Sequence, residues 1–209
     1  FPKDFLIRTP VPDNYCGQDF FFIKNEEKDQ QSSPIIILEN EAIKDHEEKL
    51  ILISGQKKEM ALDVKELPLK LKESVRTFFI STAVRFFRGD DKEHHSMIVN
   101  VSFLNDVNKE TKKLLESYVE EIKNAIEATE GNPPREALAS NIINEINDTF
   151  LSNFDIEEQW HDIFPMLEAV ARKIKTFHLG SSGDKLDYEA FKANGLVCIV
   201  VGGHKLSRG

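Results

Sequence analysis

Near its carboxyl end the chain carries an uninterrupted apolar run, residues 196–201, followed at once by the glycine pair Gly202-Gly203. A short run rich in Val and Ile, with Asn194-Gly195 before it and glycines after it, is typical of a strand that is apolar on both faces. Such strands belong to parallel sheets with both faces covered. We therefore predict a buried parallel strand over residues 196–201.

Upstream of this strand, helical and strand patterns alternate from residue 71 onward. Apolar steps of three and four residues predict helices, and alternating or β-rich runs predict strands. The order predicts an α/β domain with a mostly parallel sheet flanked by helices. Helices are predicted over 71–89, 107–126, 137–150 and 186–193, with a further helix starting at Asp155 and kinked or restarted at Pro165, and strands over 97–103 and 175–179.

The first seventy residues lack this regularity. They are interrupted by Pro2, Pro10, Pro12 and Pro34 and by a polar run at 25–33, and three short apolar runs at 20–22, 35–38 and 50–53 predict short strands joined by loops. The predicted organisation is an irregular, β-containing segment over 1–70 followed by the α/β domain over 71–209.

Charge is distributed unevenly. The 209 residues contain 27 Lys+Arg and 36 Asp+Glu, a net charge of −9. Residues 101–171 hold 5 basic and 15 acidic side chains, net −10, whereas residues 172–209 hold 7 basic and 3 acidic ones, net +4. The overall charge argues against unspecific adhesion to nucleic acid but leaves room for a local basic site near the carboxyl end. Solvated faces of unequal composition are the alternative interpretation.

Membrane and redox signals point to a cytoplasmic protein without a membrane partner. The longest strongly apolar stretch is six residues, against the roughly 20 that a spanning helix needs. The amino end has neither the basic nor the apolar region of a signal peptide. Cys16 and Cys198 match no zinc or redox spacing, which favours a reducing compartment.

The segment after the predicted last strand is the main candidate site, because ligands of parallel sheets gather where strands end. Two glycines there let backbone N–H groups approach a phosphate closely, and basic and hydroxyl side chains add donors. An ordinary tight turn with exposed basic side chains is the alternative. The predicted phosphate-binding residues are Gly202, Gly203, Lys205, Ser207 and Arg208.

Two further segments are secondary candidates. The loop with Ser181 and Ser182 could hold a phosphate or only link a strand to a helix. The adjacent His94 and His95 lack a third ligand at suitable spacing, so no metal site is predicted, and His95 is expected to position the start of its strand by a hydrogen bond.

Other charged side chains leave both a structural and a functional interpretation open. The three arginines of the aromatic-rich helix, Arg76, Arg85 and Arg88, could be surface charges or could line a groove. Asp187, Glu189 and Lys192 match the residue types of a metal-dependent nuclease, but their spacing favours a salt-bridged face. The chain has no Gly-x-x-x-x-Gly-Lys-Ser/Thr phosphate loop, so an independent ATPase is not expected.

Several stretches, taken in order, resemble the endonuclease Z-one (Z1) domain family of bacterial helicase-like proteins of superfamily two. The resemblance covers nearly the whole chain. It rests on Pro2-x-Asp4-Phe5, Tyr15-x-Gly17, the helix segments around Leu67-Pro68 and 83–89, the strand from His95 to Ser102, and the final segment 200–209.

The resemblance implies the second RecA-like lobe of an ATP-driven motor, as a fragment cut at both ends and inactive alone. ATP and Mg²⁺ would be used by the parent protein and not held by the fragment. Ser207-Arg208-Gly209 resembles a helicase motif that touches the nucleic-acid backbone, and His95 and Ser102 lie in the family's hallmark strand as secondary candidates. DNA, and proteins of restriction or defence systems, are the implied partners.

Two other functions stay open from the sequence. A metal-dependent DNA endonuclease active in its own right would need carboxylates such as Asp184 or Asp187. A non-catalytic interaction module would dock a basic partner on the acidic helices between residues 107 and 171.

Overall fold

A computed structural model describes residues 66–101, 105–180 and 185–203. The three strands predicted before residue 54 lie outside these residues. None of the helices in the described part is long and apolar enough to pass through a bilayer. The helices are α1 (Leu69–Phe87), α2 (Asn105–Ala128), α3 (Pro134–Ala137), α4 (Asn141–Asn153), α5 (Trp160–Ile163) and α6 (Met166–Lys173); the strands are β1 (His95–Val99), β2 (Lys175–Leu179) and β3 (Val197–Gly202), with a 3₁₀ turn at Glu189–Phe191.

The three strands form a parallel sheet in the order β1-β3-β2. β3 is therefore central, and all six of its residues are buried. A strand that pairs on both sides and is covered on both faces has no position for a polar side chain, which explains the continuous apolar run. The predicted buried parallel strand and the helix-flanked parallel sheet are confirmed.

The helices cover one face of the sheet. Alternation along each strand sends Val99 of β1 and Val197, Ile199 and Val201 of β3 to this face, where they join the main apolar core with side chains of α1, α2, α4 and α6. We call it the helix face. On the opposite face, Leu196, just before β3, and Cys198 and Val200 of β3 are buried beside Phe177 and Leu179 of β2 and pack against Leu186 and Phe191.

Helices α1 and α2 follow the predicted periodicity. Val75, Phe79 and Ala83 of α1 are fully buried, and the chain leaves this helix through Gly89, whose φ of +91° is a conformation that glycine adopts without strain. In α2 the predicted stripe is buried, with Leu115 and Ile122 at 0% exposure. Both elements are confirmed with ends displaced by two residues at most.

The predicted helix over 137–150 is wrong in its extent. The structure has a short α3, three non-helical residues at 138–140, and then α4. No Gly or Pro marks this break in the sequence, and Ala137, which is 1% exposed, packs in the same core as Ile143 and Ile146 of α4. Tertiary packing rather than local propensity sets the interruption.

The predicted helix start at Asp155 is also wrong. Glu158 instead forms a two-pronged ion pair with Arg88, the residue after α1, at 2.6 and 3.0 Å. α5 begins only at Trp160, where Gln159 and Asp162 form a reciprocal capping box. Pro165 does restart the helix, since α6 follows it directly.

Two smaller elements differ from their predictions. β1 begins at His95, two residues earlier than predicted, and ends at Val99, so that Asn100 and Val101 are not in the strand. The helix predicted over 186–193 is only the 3₁₀ turn Glu189–Phe191, in which Asp187 accepts a hydrogen bond from the N–H of Ala190 at 3.2 Å.

Candidate functional site

The carboxyl ends of the three strands meet along one side of the sheet. Val99 of β1 pairs with Val201, and Leu179 of β2 pairs with Gly202, so the chain leaves all three strands at nearly the same level. We define the carboxyl edge as Asn105, His178, Gly180, Gly202 and Gly203. In parallel sheets this is the side at which loops and helix amino ends meet ligands.

Gly180 brings the end of β2 against the start of α2. A Cβ atom added at this glycine would lie 2.5 Å from Oδ1 of Asn105 and 2.5 Å from Cε1 of His178. Real Cβ atoms do not approach other atoms so closely, so any larger residue would push the two side chains apart. The end of β2 therefore approaches the start of the 24-residue helix α2 closely at the carboxyl edge.

Buried polar side chains collect on the helix face near this edge. His178 is 6% exposed, and Asn108, one turn into α2, is 0% exposed. Neither residue was predicted as a site residue from the sequence. A usable signal was present, because His178 alternates with Phe177 and Leu179 and shares its side of β2 with Thr176, which hydrogen-bonds to Glu116 of α2.

The glycine pair lies at the end of the central strand, and both glycines are buried. Lys205, Ser207 and Arg208, the side chains predicted to donate to a phosphate, lie outside the described residues, as do Ser102, Ser181 and Ser182. Their role as ligands therefore stays a prediction.

His95 lies at the opposite side of the sheet from the glycine pair. It pairs with Val197 at the start of β3, five residues before Gly202, or about 16 Å along the strand. Its Nδ1 is 2.8 Å from Oγ1 of Thr82 in α1. Burial, and secondarily the charge of Arg85, lower the pKa of His95 below its usual value. The predicted hydrogen bond at the start of the strand is confirmed, and His95 is not grouped with the glycine pair.

The three arginines in and directly after α1 have partners within the protein. Arg76, whose side chain is 14% exposed, donates to Thr149 (2.9 Å), Tyr118 (2.8 Å) and Glu145 (2.7 Å), and so ties α1 to α2 and α4. Arg88 binds Glu158, while Arg85 lies 4.0 Å from Asp90. These contacts fit the structural interpretation of the arginines.

The Asp187, Glu189 and Lys192 set is also structural in its contacts. Lys192 Nζ lies 3.7 Å from Glu189, and Asp187 accepts the N–H bond from Ala190. Within the described residues, no three His, Cys, Asp or Glu side chains gather as a metal site would require. Cys198 is buried, and its burial raises the pKa of the thiol, which lies 3.5 Å from Ser96 Oγ.

Two open cavities in the described part of the chain lie away from the carboxyl edge. One, of about 150 Å³, is lined by residues of α2 and the start of β2, among them Glu116, Lys123 and Thr176. The other, of about 250 Å³, lies between the end of α2 and α6 and includes Gly131 and Phe164.

The fold and this edge define a mixed helix-and-strand domain built on a small parallel sheet whose central strand ends in two glycines. A family model describes this class more closely: the Z1 domain matches residues 70–209, well over half of the chain. The chain therefore belongs to the Z1 domain family. No curated protein and no solved structure matches it.

Proposed function

We propose that this Z1 domain is the nucleic-acid-facing second lobe, RecA-like in architecture, of an ATP-driven helicase-like protein that processes DNA. The observation that carries the proposal is the central position of β3, which is buried over six residues and ends in Gly202-Gly203 at the carboxyl edge. In open parallel sheets, this is the position at which phosphate ligands bind. The membership of the Z1 family supports the proposal.

The ligand groups of the proposed site follow the glycine pair. Lys205 and Ser207 would donate single hydrogen bonds to a backbone phosphate, and the guanidinium of Arg208 would donate two in parallel. The start of α2 at the same edge adds the positive end of a helix dipole. ATP and Mg²⁺ would be bound by the phosphate loop of a first lobe, since no such loop occurs in these 209 residues.

The proposed ligands belong to the basic part of the chain. The helices of the helix face belong largely to the stretch with net charge −10, and the last 38 residues, which include β3 and the proposed ligands, carry +4.

Titration of fluorescently labelled DNA at about 50 and 200 mM salt tests the proposal. The 209-residue chain is expected to bind weakly, with an affinity that falls as salt rises. Replacing Lys205 and Arg208 together by Ala removes two phosphate contacts, so the slope of log K against log salt should fall by about 1.8. The chain alone is expected to show no ATP turnover.

A matched double variant separates specific contacts from net charge. Lys70→Ala with Lys123→Ala also removes two positive charges. These lysines, however, pair with Glu73 and Glu120 at 2.8 and 2.7 Å within their own helices. Equal weakening by both double variants would contradict the proposed site. Magnesium-dependent nicking of plasmid DNA that disappears in Asp184→Asn or Asp187→Asn would replace the proposal by the nuclease function.

A further inference from the structure

The amino ends of β1 and β3 are joined through Leu196, the residue just before β3. Its backbone N–H donates to Nδ1 of His94 at 2.9 Å, and its carbonyl accepts the N–H of His95 at 2.8 Å. Leu196 is 1% exposed. A side chain thus supplies one of the two hydrogen bonds that bring these two strands together at their start.

The bond to His94 fixes the protonation state of its ring. An Nδ1 that accepts a hydrogen bond carries no proton, so the neutral ring of His94 holds its proton on Nε2. A second proton could enter only at Nδ1, where it would meet the N–H of Leu196 head-on. Because Leu196 is buried, its N–H would then lose its acceptor and gain no water in exchange.

His95 holds the opposite tautomer. Thr82 Oγ1 lies 2.7 Å from the carbonyl oxygen of Phe78 and donates its one proton there, as helical threonines commonly do. The 2.8 Å contact between Thr82 Oγ1 and His95 Nδ1 is therefore donated by the histidine. The neighbouring ring of Phe78, 4.7 Å away, adds an apolar wall on which an imidazolium would be desolvated.

Charged groups from the surrounding elements do not favour protonation of the pair. From α1, Arg85 approaches the carbonyl of His94 at 3.5 Å and is shared with Asp90. From α6, Lys173 reaches the carbonyl oxygens of Asp91 and Asn194, on the segments that lead to His94 and Leu196.

The remaining neighbour is an aromatic ring. Tyr188, from the segment before the 3₁₀ turn, places its ring in T-shaped contact with His94, with the centroids 5.1 Å apart. Two cations and one weakly acidic phenol therefore surround the histidines from other elements, and Asp90 is already engaged with Arg85.

We propose that His94 forms a pH-sensitive clasp that holds the amino ends of β1 and β3 in register when its ring is neutral and opens when the ring takes up a proton, while His95 anchors the start of β1 to Thr82 of α1. β3 is the strand that ends in Gly202-Gly203, so opening would loosen the strand on which the carboxyl edge depends. Imidazole is the side chain that changes charge between about pH 8 and 5. Acidification sufficient to protonate His94 would therefore open the clasp.

The sign of the effect on stability follows from His95 as well. Its pKa is lowered in the folded chain, so the unfolded chain binds the proton more tightly. The stabilisation is fully present above the ordinary histidine pKa of about 6.5 and is lost as the pH falls below that value, through the lowered pKa of the folded state.

Amide hydrogen exchange of the 209-residue chain tests the clasp without any DNA. The exchange of the Leu196 N–H, corrected for the intrinsic effect of pH, should become about tenfold faster between pH 7.5 and pH 5, the loss expected for one hydrogen bond. In His94→Asn the amide oxygen can accept the same bond and cannot titrate, so this pH dependence should disappear. His161→Asn, at a histidine whose side chain is 72% exposed, is the control and should behave as the parent chain does.

Ring nitrogen NMR of the parent chain gives a second readout that needs no variant. The proton of neutral His94 should lie on Nε2 and that of His95 on Nδ1. A proton on Nδ1 of neutral His94 would overturn the proposal. A corrected exchange rate at Leu196 that does not depend on pH would also overturn it. So would a rate that rises on acidification by the same factor at Leu196 and in the centre of α2.

Discussion

The two faces of the sheet are covered to very different depths. On the helix face, β3 packs under α1, α2 and α6 in one large core that includes Phe79 and Leu115, both 0% exposed. On the opposite face, the cover is a small group of partly buried side chains, and Ile98 of β1 is 63% exposed. β3 is fully buried on both faces, whereas β1 is buried well on one only.

This difference indicates which face contributes more to stability. Burial of apolar surface dominates stability, so the free energy of unfolding should depend mainly on the helix face. The polar features of the other face, such as the contact of 3.0 Å between Ser96 and Tyr188, are exposed and should contribute little.

The largest effect on the free energy of unfolding is expected when a Phe-to-Ala substitution is made on each face in turn. Phe79→Ala leaves a cavity in the main core and should lower the free energy of unfolding by about 3–5 kcal/mol. Phe177→Ala removes the same atoms from a half-buried position on the opposite face and should cost roughly 1–2 kcal/mol. Urea unfolding of both variants, followed by circular dichroism, measures the difference.

Each of these two variants is the control for the other, because both substitutions delete the same phenyl ring. Equal losses would show that the opposite face is covered in solution as deeply as the helix face. A change in the dependence of the unfolding free energy on urea concentration would point instead to an altered denatured state.

The sequence predicted the strongly patterned elements well. Residues 196–201 could be assigned because continuous burial leaves only one kind of pattern, and α1 and α2 could be assigned because each buries one stripe. The start of α5 could not be predicted. Glu158 had the spacing of a capping residue, but its ion pair lies with Arg88, seventy residues away, and long-range partners of this kind leave no local signal.

The candidate site was predictable only in its position. Gly202-Gly203 follow a buried strand, which is a local pattern, and parallel topology then brings the ends of β1 and β2 alongside. His178 could not be joined to Asn105 from the sequence, because their proximity depends on how closely Gly180 approaches α2. The position of His95, at the other end of the strands from the glycine pair, could be known only from the strand register.

The glycine before β3 tests a close approach of two backbone segments at the amino ends of the strands. Gly195 leads into β3 with a φ of +69°, and an added Cβ would lie 2.6–2.7 Å from backbone atoms of Lys92 and Glu93. Gly195→Ala therefore combines an unfavourable φ with a clash that only backbone movement can relieve, and should cost about 2–4 kcal/mol. Gly89→Ala is the matched control, since Gly89 has a similar φ but open space around it, and should cost about 1–2 kcal/mol. Thermal or urea unfolding that ranks the two in the reverse order would contradict the close approach.

The smallest effect is expected at neighbouring residues of β1 that point to opposite faces. Ile98→Thr keeps a β-branched side chain at a position that is 63% exposed, and should change the free energy of unfolding by no more than about 0.5 kcal/mol. Val99→Thr puts the same hydroxyl into the main core at a position that is 4% exposed, and should cost roughly 1–3 kcal/mol because the hydroxyl is desolvated there. Urea unfolding of both variants provides the measurement. If Ile98→Thr proves as costly as Val99→Thr, the opposite face of β1 is buried in solution and the contrast between the two faces fails at this strand.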